Sequence, residues 1–219
     1  MVHELQHPYI SVQKESLCSF GGNQAWLSRS DLRTCGCGAV AMADFLTYIS
    51  RYHGFEPLPE ASDTPIPLSQ YDKLVSRLQL HYLPMVPPFG ITGVGLAGGL
   101  GLYCKLHAIP LTPFWGVRRK NFWHAMAEML DRDLPVIFAV GPNFPFVWQQ
   151  YRLNLYHRCG DTYLATSRVK GHFLTATGLD ETWIKVSSWG KEFYIHRGEY
   201  AQYGQTHSLA MAHNLLWIP

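Results

Sequence analysis

The stretch Thr34-Cys35-Gly36-Cys37-Gly38-Ala39-Val40-Ala41-Met42-Ala43-Asp44, continuing as Phe45-Leu46-Thr47-Tyr48-Ile49-Ser50-Arg51-Tyr52, decides how this chain folds. From about Cys37 to Tyr52 it predicts a helix. Ala39, Met42, Ala43, Leu46 and Ile49 recur at helical spacing, while Val40, Ala41, Phe45 and Tyr48 cover much of the remaining surface. A helix apolar almost all round has to be buried on most sides. Gly54 supplies a stop just beyond it. A cysteine in the first turn of such a helix lies where unpaired backbone N–H groups and the helix dipole favour the thiolate. The glycines on either side remove bulk and let a substrate carbonyl approach.

Working outward, residues 1–34 read as irregular and polar, with a turn at Gly21-Gly22-Asn23. Downstream, residues 55–68 hold four prolines and read as a loop. A short helix over 68–80, a glycine-interrupted helix over 92–107 and another over 121–131 follow. The run Leu134-Pro135-Val136-Ile137-Phe138-Ala139-Val140 is a strand signal closed by Gly141-Pro142. After it come strand signals at 163–168, 172–178, 183–187, 192–196 and 215–218. Helices first and antiparallel strands later is an α+β order, and a single domain over 1–219 is expected, mainly helical in 1–133 and mainly β in 134–219.

Composition limits the function classes. The 18 basic and 16 acidic side chains leave a net charge of +2, which gives no basis for a broad phosphate-neutralising surface, so nucleic acid is not an expected partner. Charged residues make 16% of the chain against roughly 25% in an average soluble domain, and global disorder is excluded. Five cysteines, an odd count, do not form the paired framework of a small secreted domain. Residues 1–13 lack the apolar core of an export signal behind a basic start, so a cytoplasmic location is expected. The uncharged stretch 82–104 has the length of a membrane span but carries Pro84, Pro87, Pro88 and six glycines, and reads as buried structure.

A second constellation lies in the β part. His172, in Lys170-Gly171-His172-Phe173-Leu174, opens a strand that holds it rigidly, as a general base or the partner of a thiolate requires. Ser187 closes the next strand signal, in Ile184-Lys185-Val186-Ser187-Ser188-Trp189-Gly190, where pairing of neighbouring strands brings its hydroxyl towards the imidazole and Trp189 shields the contact from water.

Taken together, Cys37-Gly38-x-x-Ala41-x-Ala43, Leu134-Pro135-Val136-Ile137, Gly171-His172-Phe173 and Ile184-Lys185-Val186-Ser187-Ser188-Trp189-Gly190 resemble the papain-like cysteine peptidases, and specifically the bacteriocin-leader-peptidase-like bacterial branch. The resemblance implies a nucleophile helix packed on a C-terminal antiparallel sheet that carries the histidine. It implies acyl transfer through a thioester on a peptide or amide substrate, with Cys37 as nucleophile, His172 as base and acid, and Ser187 as orienting group. Gln24 and the Cys37 N–H would be the oxyanion donors, with Gly36, Gly171 and Trp189 against the substrate, and no cofactor or metal. Two departures stand out. Ser187 is a neutral hydroxyl where the family has Asn or Asp, so it stabilises an imidazolium less. The residue six before Cys37 is Asp31, and Gln24 is the nearest upstream glutamine. Cys35 fits the small-residue pattern in a second register and remains an alternative nucleophile. The same residues also suit an inactive peptide- or partner-binding module, or a cysteine-dependent acyltransferase.

Two competing signals are weaker. Gly93-Val94-Gly95-Leu96-Ala97-Gly98 matches a dinucleotide fingerprint literally, but follows prolines and lacks an acidic residue about 20 positions on, so close helix packing is the better account. Cys35-x-Cys37 and His157-x-Cys159 lack the spacing of a zinc site. The segment 144–148, after the Pro142 turn, is expected to wall the cleft. The sequence leaves the oligomeric state open.

Overall fold

The computed structural model describes residues 1–55, 58–61, 63–87, 89–146 and 148–219. Pro57 of the proline-rich loop, Pro88 of the uncharged stretch and Val147 of the 144–148 segment lie outside the described residues. In chain order, β1 (His3–Glu4), β2 (Val12–Lys14), β3 (Leu17–Cys18) and α1 (Ser30–Cys35) precede the long helix α2 (Cys37–Tyr52). Then come β4 (Ile66–Pro67), α3 (Leu68–Tyr82), α4 (Gly93–Leu106), β5 (Phe114–Trp115) and α5 (Phe122–Asp131). The last part holds β6 (Val136–Val140), β7 (Leu153–Cys159), β8 (Thr162–Val169), β9 (His172–Leu179), β10 (Trp183–Ser188), β11 (Lys191–His196), α6 (Arg197–Thr206) and β12 (Leu216–Trp217). The chain is α+β, six helices among the described residues around a seven-stranded antiparallel sheet.

Strand order in that sheet is β1-β9-β10-β11-β7-β8, with β6 on β9 beside β1. β9 is buried from Phe173 to Leu179 because it lies inside the sheet and both α2 and α5 pack on it. It carries no charged side chain, and the two threonines that interrupt its apolar residues, Thr175 and Thr177, are buried with them. Helix α2 has no exposed face from Gly38 to Ile49, and meets α3, α4, β6 and β9. α3 buries Tyr71, Leu74, Val75 and Leu78, one stripe at helical spacing. No helix among the described residues is long and apolar enough to cross a membrane.

The N-terminal segment is more ordered than its composition suggests. It forms β1 on the edge of β9, the β2–β3 hairpin and α1, and it buries Ile10, Val12, Leu27 and Leu32. Asp133, in the left-handed region at φ 59, clasps it. The Asp133 carboxylate accepts from the Gln6 N–H at 2.7 Å and the buried Tyr48 hydroxyl at 2.6 Å, and pairs with His7 Nδ1 at 2.6 Å. Burial alone pushes this carboxyl up, but the Tyr48 and His7 hydrogen bonds with the Gln6 N–H outweigh it and hold the pKa below the ordinary 3.8.

The 3.6-residue pattern also misses α6. Only Tyr200, Tyr203 and Gly204 are buried along it, and the helix is held by tertiary hydrogen bonds from Tyr200 to the Ala139 carbonyl at 3.0 Å and Tyr203 to the Gly141 carbonyl at 3.1 Å.

Candidate active site

Cys37 stands at the head of α2, directly after the sharp α1–α2 junction. Gly36 makes that junction possible: a Cβ there would lie 2.3 Å from the Leu32 carbonyl oxygen. The glycine is therefore a packing requirement, and it is absent from the cleft lining, which corrects the expectation that Gly36 meets substrate. His172 opens β9 beside Val140 of β6, and Cys37 packs against the neighbouring Phe173 backbone.

Cys37 and His172 share two spaces. One is a small cavity of about 20 Å³, bordered also by Gln24, Asp44, Ser187, Ser188 and Trp189. The other is a cleft of about 570 Å³ that opens to the surface and is bordered also by Gln24, Cys35, Gly171, Trp115 and Met211. Cys35 borders the cleft but not the small cavity. Its buried thiol donates to the Asp31 carbonyl at 3.1 Å and lies 3.8 Å from the Met85 sulfur. Cys37 is thus the cysteine that shares both spaces with the histidine, whereas Cys35 shares only the cleft. Gly171, at φ 56, has no atom within 4 Å of a notional Cβ and leaves the cleft open in front of His172. Of the 144–148 segment, the described residues Phe144, Pro145, Phe146 and Trp148 do not line the cleft. Leu209, Met211 and Ala212 do, because Phe144 instead runs towards His207, with its N–H on the His207 carbonyl at 2.9 Å.

The hydroxyl that meets His172 belongs to Ser188, not to Ser187 as expected. His172 Nε2 meets Ser188 Oγ at 2.9 Å, whereas Ser187 Oγ donates to the Phe20 carbonyl at 2.8 Å. Successive side chains on β10 point to opposite faces, and Ser187 sits opposite Thr175, so it faces the N-terminal segment and Asp44. A register shift at Lys185/Val186 sets this pairing. The hairpin that follows turns through Trp189 (φ 50) and Gly190 (φ 72), both left-handed as a two-residue type I′ turn demands. Holding a bulky tryptophan there is strained, and its ring lies over His172 with centroids 4.8 Å apart, the shielding position expected of it.

The electrostatics of the pair are those of two neutral groups. Burial pushes the Cys37 thiol above its ordinary 9.0, opposed by the Phe173 and Gly38 N–H groups. Burial pushes His172 down to about 4. The contact with Ser188 is the only hydrogen bond of the ring among the described residues, so the thiol is not hydrogen-bonded to it and Nδ1 is free. Gln24 borders both spaces, and its Nε2 donates one hydrogen to the Arg33 carbonyl at 3.0 Å, leaving the second.

Asp44 was not foreseen as part of this region, yet it is the only charge on α2 before Arg51, a readable signal. It is 2% exposed and accepts from the Gly22 N–H at 3.0 and 3.1 Å, Tyr71 at 2.5 Å and Tyr9 at 3.2 Å. Burial pushes it up to about 6, against the opposing pull of those donors. The carboxyl ties the Gly22–Gln24 loop to α2. At Gly93 the helix start packs so tightly that a Cβ would lie 1.9 Å from the Trp115 ring, the close-packing account of the glycine fingerprint. No group of three or more His, Cys, Asp or Glu side chains among the described residues is arranged to hold a metal ion. Compared with known proteins, the chain matches no family model, no curated protein sequence and no solved structure.

Proposed function

We propose that this is a papain-like cysteine hydrolase in which Cys37 attacks an amide or ester carbonyl and His172 moves the proton. The observation that carries this reading is the placement of a helix-head cysteine and a strand-opening histidine on one cleft, with the imidazole fixed through Nε2 by Ser188 and its Nδ1 free. Because both groups rest neutral, His172 acts as a general base during attack: side-chain rotation within the shared cavity carries the thiol proton to Nδ1 as the C–S bond forms. The proton passes to the leaving atom as its bond to carbon breaks. Water then adds to the thioester, gives a proton to His172, and the C–S bond breaks as that proton returns to sulfur. The second Gln24 hydrogen and the Cys37 N–H are the oxyanion donors in this scheme.

A silent binding module is the second reading, favoured by the missing thiol–imidazole hydrogen bond and the neutral Ser188. Turnover of p-nitrophenyl acetate with acetyl found on Cys37 separates the two. Ser188→Ala is expected to slow acetylation roughly tenfold, the loss of one neutral hydrogen bond, and Ser187→Ala to leave it within about twofold. Equal effects of the two substitutions would contradict the assignment of Ser188, and a wild-type protein that never acquires acetyl on Cys37 would favour the silent module.

A further inference from the structure

The cleft bounded by Cys37 and His172 has no charged side chain among its described lining residues. Its rim instead carries apolar groups that are largely in water: Phe89 at 88% exposure, Met211 at 70%, Val94 at 61% and Leu209 at 42%. Trp115 and Ile91 continue the apolar surface inward to the thiol. A volume of about 570 Å³ falls in the range of small-molecule sites.

Several backbone groups of the wall are already paired, while the Gly93 and Val94 N–H groups at the head of α4 have no partner within their helix. The Ala139 N–H is on the Asn214 carbonyl at 2.8 Å, and the Gly90 N–H is on the Val86 carbonyl at 2.9 Å. The Gly141 N–H is on His213 Nδ1 at 3.3 Å, while the Gly141 carbonyl accepts from both the Gly171 N–H and Tyr203. The Met211 carbonyl accepts from Trp115 Nε1 at 2.7 Å. A peptide lying here would bring an N–H and a C=O with every residue and find partners for only some of them on these walls. An alkyl chain brings neither.

Resting on the cysteine reading above, we infer that the cleft is an acyl pocket and that the group transferred to Cys37 is an uncharged linear alkyl acyl group, from an ester, thioester or amide, rather than a peptide. The first step moves the acyl carbon from its leaving oxygen, sulfur or nitrogen to Cys37 Sγ, with the thiol proton passing through His172 to the leaving atom; water then releases the free carboxylic acid.

The test compares acetyl, butyryl, hexanoyl and octanoyl p-nitrophenyl esters, read as p-nitrophenol release and as acyl on Cys37 by peptide mass spectrometry. Burial of each methylene is expected to raise kcat/KM about threefold, so octanoyl exceeds acetyl by at least about a hundredfold. Met211→Asp and Val94→Asp, both at exposed rim positions, are expected to cut the octanoyl-to-acetyl ratio about tenfold each. An unchanged ratio in both variants would overturn the pocket assignment. If acetyl reaches Cys37 but octanoyl is no faster, or an apolar peptide p-nitroanilide outcompetes octanoyl, the acyl inference fails while the cysteine reading stands. If no ester reaches Cys37, both fail.

Discussion

Cys37→Ala is expected to abolish covalent acylation and to lower ester turnover at least about a thousandfold, while Cys35→Ala retains both. The contrast follows from placement. Cys37 shares the small cavity with His172, whereas Cys35 is 7% exposed, donates its thiol to its own helix at Asp31 and does not reach that cavity. The two exposed cysteines, Cys18 and Cys159, do not line the cleft and give no alternative route. Alanine at the first position of α2 is a better helix former than cysteine, so the fold is expected to survive, and an unchanged melting temperature checks that. Retained turnover in Cys37→Ala, with loss in Cys35→Ala, would move the nucleophile to the other register.

Asp133→Ala is expected to cost about 3–5 kcal/mol of folding stability at neutral pH, the largest single-site effect outside the hydrophobic core. Three causes add. The buried Tyr48 hydroxyl and the Gln6 N–H lose their acceptor, His7 loses its partner, and alanine must take the left-handed φ of 59 that aspartate tolerates better. Since the folded pKa lies below the ordinary 3.8, this stabilisation is present above that pH and is lost as pH falls through the lower folded value. Urea unfolding at pH 7 and near pH 3 checks both parts. The wild-type advantage is expected to be full at pH 7 and to shrink in acid.

What the sequence made legible was governed by local periodicity. Helix α2 was readable to its ends because an apolar surface covers almost its whole circumference, and β9 because its run has no charge to interrupt it. The N-terminal strands and α6 were not, because they are held from outside: β1 by its ladder to Gly178 and Leu179, α6 by two tyrosine hydroxyls. The site was legible in its types and less so in its register. Two adjacent serines offer the same hydroxyl, and which one meets His172 depends on the shift at Lys185/Val186 and the turn at Trp189-Gly190, neither encoded in a spacing rule. Gly36 fits both a substrate contact and a tight junction by sequence, and only the distance to the Leu32 carbonyl separates them.

The pairing of Cys37 with His172 is tested most directly by the pH dependence of Cys37 alkylation by iodoacetamide, with the labelled site read by peptide mapping, in the wild type and in His172→Ala. A thiol and an imidazole that share one proton keep a constant fraction in the thiolate–imidazolium form between their two macroscopic pKa values. With His172 at about 4 and the thiol above 9.0, the wild-type rate is expected to hold a pH-independent floor, set by the imidazole-assisted thiol, on the acid side of neutrality, and to rise only where free thiolate overtakes that floor. In His172→Ala only the free thiolate reacts, and the rate is expected to climb about tenfold per pH unit over the same range. Two superimposable rising profiles, each that of an unassisted thiol, would contradict the pairing.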